Sequence, residues 1–249
     1  MPARIAARLR ALTPARVGLG RTGVSQQTRD LLEFQKAHAQ ARDAVHARLE
    51  AAAVAAAIAN TTAGEVLRLH AEAADRATYL QRPDLGRRLD AESRKALNTF
   101  AREHRQSWDL VLVVADGLSA LAVERHAAAV IGELWTRTAG WRVAPVCVVE
   151  QGRVAIGDEI GEALDAELSV VLIGERPGLS SADSLGAYIT WHPRAGRTDA
   201  ERNCISNIRS EGLSYEDAAA QITYYLTAAR QRQLTGVALK SASRQIAEG

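Results

Sequence analysis

Lysine is almost missing from this chain: Lys36, Lys95 and Lys240 are the only three among 31 cationic residues. None of them follows a glycine-rich turn in the Walker spacing, so phosphate cradling of the P-loop kind is excluded. Cysteine is as scarce. Cys147 and Cys204 are too few for a disulfide scaffold and read as free thiols of a reducing cytoplasm. No apolar run approaches the ~20 residues that a membrane-crossing helix needs, and no secretory apolar region opens the chain. The six histidines, at 38, 46, 70, 104, 126 and 192, lack the i, i+4 pairing and the neighbouring cysteine pair of a protein-built zinc site. A Gly-x-Ser-x-Gly elbow is also absent, which leaves a self-contained hydrolase without support. The net charge of +2 on 249 residues is too small for a nucleic-acid binder.

What is present begins with arginine. Arg4, Arg8, Arg10, Arg16, Arg21 and Arg29 all precede the first acid, Asp30, with Ile5, Leu9 and Leu12 at helical spacing among them. Such a basic amphipathic segment docks a partner, lies on a membrane surface, serves as a transit peptide or is a solvated chain end. Residues 1–105 read as a helical N-terminal domain. Ser25 is the expected N-cap of a helix through Leu31, Phe34 and Val45 toward Ile58. Residues 66–79 fit a helix or a short strand, and Asp90 is expected to cap a helix to about His104.

Residues 106–249 read as a Rossmann-like domain. Strands are expected at 109–115, 143–149, 169–173 and 187–191. Between and after them lie helices capped by Ser119, started by Asp158 and capped by Ser214. This alternation predicts an α/β fold with a mainly parallel, doubly wound sheet.

The most informative stretch is Val170-Val171-Leu172-Ile173-Gly174-Glu175-Arg176-Pro177-Gly178, an apolar run that breaks at a glycine followed by a lone carboxylate. In parallel α/β sheets, ligands sit beyond the carboxyl ends of strands. Glu175 therefore stands where a ligand's donors would be, or is a plain surface acid. Two further loops flank predicted strands: Gly152-Arg153-Val154, and residues 202–208 with Cys204. Cys204 packs softly against a ligand face or is a small buried hydrophobe, whereas Cys147, inside an apolar run, reads as core. Asp116-Gly117-Leu118-Ser119 is a ligand contact or an ordinary helix start. Gly18-Leu19-Gly20-Arg21-Thr22-Gly23 matches the dinucleotide fingerprint in letters, yet no strand precedes it and no βαβ unit follows, so a flexible glycine turn is expected.

Taken in order, these loops resemble the ethanolamine ammonia-lyase small (light) subunit family. The resemblance rests on Arg16-Val17-Gly18-Leu19-Gly20-Arg21-Thr22-Gly23, Tyr79-Leu80-Gln81-Arg82-Pro83-Asp84-Leu85-Gly86-Arg87-Arg88-Leu89 and Asp116-Gly117-Leu118-Ser119. It continues through Gly152-Arg153-Val154, Gly157-Asp158-Glu159-Ile160-Gly161, Gly174-Glu175-Arg176-Pro177-Gly178-Leu179 and Cys204-Ile205-Ser206-Asn207-Ile208. Each segment alone is weak. Their order and spacing, from about Arg16 to about Lys240, are highly specific.

The resemblance implies an adenosylcobalamin-dependent lyase that converts ethanolamine to acetaldehyde and ammonia. A large barrel subunit would hold the substrate, and this small subunit would complete the cobalamin site at the interface of a higher hetero-oligomer. Cobalt–carbon homolysis starts that chemistry, the cofactor carries it, and protein supplies position and seclusion. The resemblance carries cobalamin contacts onto Val154, Glu175 and Cys204, and no catalytic residue or metal ligand onto this chain. Glu175 would accept from the amide donors on the cofactor's rim, and Val154 would offer packing or a backbone contact. From the residues alone two other readings stand: a standalone α/β small-molecule or nucleotide-binding protein, and an assembly protein whose helical half does the work. Family members can carry a long extension ahead of the first motif, associated with microcompartment targeting. Here 15 residues precede Arg16, so plain cytoplasm is the expectation and a bacterial microcompartment the alternative.

No Asp-x-His-x-x-Gly occurs, so the resemblance implies that the cofactor keeps its own benzimidazole as lower ligand. Replacing any one of the six histidines is expected to leave cobalt coordination unchanged. Electron paramagnetic resonance of the complex checks this, and a histidine nitrogen coupled to cobalt would refute it.

Overall fold

The computed structural model describes residues 3–13, 17, 19 and 21–239. In chain order the first elements are α1 (Ala3–Leu12), a short hairpin of β1 (Arg21–Thr22) and β2 (Ser25–Gln26), α2 (Thr28–His46) and α3 (Ala51–Thr62). Then come β3 (Val66–His70), α4 (Arg76–Gln81), α5 (Ala91–Glu103), β4 (Trp108–Ala115), α6 (Ala120–Arg137) and β5 (Val146–Glu150). The chain continues through α7 (Ile156–Ala163), β6 (Ala166–Gly174), β7 (Leu185–Trp191), β8 (Arg202–Ile208) and α8 (Tyr215–Arg232).

The sheet has six strands in the order β3-β5-β4-β6-β7-β8. The first four run parallel, and the β6–β7 and β7–β8 pairings are antiparallel. Side chains alternate between its faces. Leu110, Leu112 and Val114 pack into one apolar layer with α3, α6 and α8, while Val111, Val113 and Ala115 pack into a second with α5 and α7. Burial on both faces explains why this strand reads as a continuous apolar run rather than an alternation. The fold is thus the expected α/β, doubly wound sheet behind a helical N-terminal region.

Three expected caps are in place: Asp90, Ser119 and Ser214 accept the amides of Ser93, Ala122 and Asp217. Other readings need correction. Ser25 lies in β2, and α2 starts after Gln27 with no side-chain cap. The helix expected to run toward Ile58 stops at His46 and resumes at Ala51, because the intervening turn carries Leu49 into the core. Residues 66–79 hold both alternatives, β3 and then the start of α4. Asp158 starts no helix: α7 begins at Ile156, and the buried Asp158 carboxylate instead takes the Arg202 guanidinium in two bonds of 2.7 and 2.6 Å. Residues 202–208 are strand β8, not a loop, since their backbone pairs with β7. Gly18 and Gly20 lie outside the described residues, and Gly23 sits in the turn of the β1–β2 hairpin, with no βαβ unit after it. No helix among the described residues is long and apolar enough to cross a membrane.

The topology also opens a crevice at the strand ends. After β4 the chain turns to α6 on one face, and after the neighbouring β5 it turns to α7 on the other. Adjacent strands whose connections diverge leave a crevice at their carboxyl ends, where ligands of open α/β sheets bind. One wall of it is a close backbone contact: Gly117, at φ +55°, precedes Leu118, whose amide donates to the Gly174 carbonyl at 2.9 Å. A Cβ on Gly174 would overlap the carbonyl oxygens of Asp116 and Ser119. Gly174→Ala is therefore expected to destabilise the chain by about 2–3 kcal/mol. Gly140→Ala meets no atom within 4 Å and should cost only about 1 kcal/mol for its left-handed backbone. Urea unfolding of the two variants gives the order, and the reverse order would refute this packing argument.

Candidate functional site

Asp116 leaves β4 at the crevice and is wholly buried. Its Oδ1 accepts the Gly152 amide at 3.1 Å, and Nη1 of Arg76 lies 3.4 Å from Oδ2. Arg76 also donates to the carbonyl of Gly117 at 2.8 Å and to that of Val45, in the last turn of α2, at 2.6 Å. One turn along α4, the Tyr79 hydroxyl donates to the Gly152 carbonyl at 3.2 Å. Its ring receives two guanidinium groups, Arg153 at 4.1 Å and Arg76 at 4.7 Å. Burial dominates the electrostatics here. It pushes the Asp116 carboxyl up to about 6 against the pull of Arg76, lowers Arg76 and raises the Tyr79 phenol.

Beyond this braced crevice lies a cavity of about 310 Å³ whose lining includes Tyr79, Leu118, Arg153, Val154, Glu175 and Tyr188. Val154 and Glu175, which come from different strand ends, are therefore brought together. Glu175 is not a loose surface acid. Its amide donates to the Ser184 carbonyl at 2.9 Å, and its Oε2 accepts from the Ser184 hydroxyl and, at 3.2 Å, from the Asn207 amide. Among the described residues its side-chain bonds fall on Oε2, which leaves Oε1 for an incoming donor. Pro177 and Gly178 close the loop behind it through a 2.9 Å bond from the Gly178 amide to the Ser181 carbonyl.

Cys204 is placed beside this cavity rather than on its lining. It pairs with Tyr188 across the β7–β8 ladder, and it is exposed, not a small buried hydrophobe. Cys204 and Ser206 are open and Tyr188 is half-buried, so the face of the two antiparallel strands forms a shelf continuous with the cavity through Tyr188. Burial, with Cys204 alongside, raises the Tyr188 phenol. On its other side Val154 opens into a cavity of about 540 Å³, lined also by Arg87, Arg153, Arg197 and Asp199.

Tyr79 and Tyr188 escaped sequence reasoning as site residues. Tyr79 sits inside a segment that carries the resemblance, so a signal existed. Tyr188 lies in an unremarkable strand, and nothing local marks it. Asp116-Gly117-Leu118-Ser119, left open between ligand contact and helix start, starts α6 at the Ser119 cap, and its Asp116 is a brace under the turn that carries Val154.

The two thiols differ sharply. Cys147 is fully buried in β5, which pushes it up to about 12, while Cys204 is exposed. A thiol reagent at neutral pH is expected to label Cys204 alone in the native chain and both cysteines after denaturation. Mass mapping of the adducts checks this, and native labelling of Cys147 would refute the placement.

Comparison with known proteins gives the family. The family model described as Ethanolamine ammonia-lyase light chain (EutC) matches residues 3–240. The ethanolamine ammonia-lyase small subunit of Pseudomonas syringae pv. tomato is 56% identical over 234 residues, covering 93% of this chain and 81% of its own length. That of Xanthomonas campestris pv. campestris (strain B100) is 57% identical over 236 residues, covering 94% and 86%. That of Ralstonia nicotianae is 56% identical over 237 residues, covering 94% and 87%. With a matched family spanning nearly all of its length, this chain belongs to the ethanolamine ammonia-lyase light-chain family.

Proposed function

We propose that this chain is the small subunit of an adenosylcobalamin-dependent ethanolamine ammonia-lyase and completes the cobalamin site at its interface with a large catalytic subunit. The observation that carries this reading is the meeting of Val154 and Glu175 on one cavity, with Cys204 on the adjoining shelf. A corrinoid exceeds the roughly 300–1,000 Å³ of ordinary small-ligand pockets. An open edge of this kind suits it as one wall, with the partner supplying the rest.

The residues present fit the cofactor's chemistry. Oε1 of Glu175 would accept from an amide of the cofactor rim, while Ser184 and Asn207 fix the carboxylate through Oε2. Val154 and Cys204 would supply apolar and soft contact along the same edge. Arg87, Arg153 and Arg197 give the second cavity positive charge suited to the cofactor's phosphodiester. When bound, adenosylcobalamin supplies the radical chemistry that releases ammonia from ethanolamine, with its own benzimidazole as lower ligand. This chain's residues bind, orient and exclude water, and substrate contacts belong to the large subunit.

In this proposal the segment 1–105, whose β3 joins the sheet, docks the partner through its helices in a higher hetero-oligomer. Ile5, Leu9, Leu31, Leu32 and Phe34 are exposed on α1 and α2, which supports an apolar contact there. The complex would work in the cytoplasm, free or packaged in a bacterial microcompartment.

Co-expression with the large subunit, followed by assay of the purified complex for acetaldehyde, tests the reading. Turnover should require both this chain and adenosylcobalamin. Glu175→Ala should weaken the apparent cobalamin affinity by about 1–3 kcal/mol, the range for leaving a buried hydrogen-bonding group without its partner, and leave subunit association intact. Unchanged affinity would remove Glu175 from the site, and a stable complex without turnover would overturn the substrate.

A further inference from the structure

We propose that Asp116 and Tyr79 are positioning residues for the cofactor edge, holding Gly152 by both of its backbone groups and so fixing the Gly152-Arg153-Val154 turn across the crevice. The clamp is drawn from residues far apart in the chain. The Gly152 amide donates to Asp116 at 3.1 Å, and the Gly152 carbonyl accepts from Tyr79 at 3.2 Å. The next amide, that of Arg153, donates to the Gly86 carbonyl at 2.7 Å, so the turn hangs on the ends of β4 and α4 and on the segment after α4.

The need for such a clamp follows from the topology. Pairing between β4 and β5 ends at Ala115 and Val149. Beyond that point the two connections diverge to opposite faces, and no ladder bond can tie them. The Asp116 carboxylate spans the gap that the ladder leaves. Gln151, just ahead of the clamp, is held at φ +57°, in the left-handed region that a glutamine seldom adopts. Its Oε1 is buried and without a partner among the described residues. Strain and an unpaired polar atom of this kind persist only where the surroundings over-determine the backbone.

The hold depends on charge. Arg76 and Tyr79 face Asp116 from α4, Arg153 approaches them from the turn itself, and Glu150 ends β5 nearby. As the carboxylate, Asp116 accepts from both Gly152 and Arg76. Below about pH 6 it takes up a proton and the attraction of Arg76 is lost, so the clamp weakens as pH falls through that value.

The claim that the clamp orders the turn is independent of the ligand, and only its effect on cobalamin rests on the function proposed above. The test uses the complex with the large subunit, comparing wild type, Asp116→Asn and Tyr79→Phe. Hydrogen–deuterium exchange over residues 150–156 is followed without cofactor, and adenosylcobalamin binding is followed by its absorption spectrum. Each variant should speed exchange over that segment, and raise the apparent dissociation constant, by about tenfold, the scale of one buried hydrogen bond. Exchange in β6 should stay unchanged. Wild-type affinity should fall as pH is lowered from about 7.5 to about 5.5, with that dependence flattened in Asp116→Asn. Unchanged exchange over the turn in Tyr79→Phe would overturn the clamp. Faster exchange with unchanged cobalamin affinity would keep the clamp and overturn the placement of Val154 at the cofactor. Should Asp116→Asn fail to assemble, Tyr79→Phe and the wild-type pH series still decide.

Discussion

A buried arginine and a buried aspartate, 3.4 Å apart, hold the strand-end crevice of this protein together. Arg76 lies on α4, yet it reaches Val45 at the end of α2 and Gly117 beyond β4 as well as Asp116. Asp116 in turn reaches across to Gly152. One ion pair therefore joins the helical half, the central strand and the turn that carries Val154. Such a pair is a poor source of stability, because removing two charges from water offsets much of their attraction. Its contribution is geometry. Deleting one partner would leave the other charged and alone in the core, a change that costs about 3–5 kcal/mol.

The antiparallel half repeats the device. The Arg202 guanidinium grips Asp158 of α7 through two bonds, while its Nη1 also donates to Thr190 at 2.9 Å and its Nη2 to the Arg197 carbonyl at 3.0 Å. Burial raises the Asp158 carboxyl despite the arginine. β8 is thereby pinned to a helix packed over the parallel strands, two residues before Cys204. This pair adds to the β7–β8 ladder in holding the shelf on which Cys204 stands.

Much of this was legible in the residues. The break from Ile173 through Gly174 to Glu175 marked both a strand end and a residue that lines the cavity, because an abrupt change from apolar run to glycine and carboxylate is local information. Asp90, Ser119 and Ser214 announced their helices for the same reason. β8 stayed hidden because Arg202, Asn203, Ser206 and Asn207 are polar, and an edge strand exposed on one face needs little apolar patterning. The break between α2 and α3 was also invisible, since no glycine or proline marks it and only the burial of Leu49 demands it. The clamp on Gly152 joins residues 36 and 73 positions apart, a relation that spacing and periodicity cannot encode.

The raised Asp116 carboxyl also bears on proton linkage. In the folded chain it keeps its proton up to about pH 6, whereas at its ordinary value it would release it near 3.8. Across that window the folded state binds more protons than the unfolded one, so this group's contribution to stability falls as pH rises. Asp109 and Asp183 act in the opposite sense. Burial would raise them, but the surrounding arginines together with other hydrogen bonds overcome it and hold them below their ordinary value. What those two carboxylates contribute is present above that value and lost in acid. Above about pH 6 the ionised Asp116 carboxylate thus works against folding, and burial in the apolar layers on both faces of the sheet offsets it.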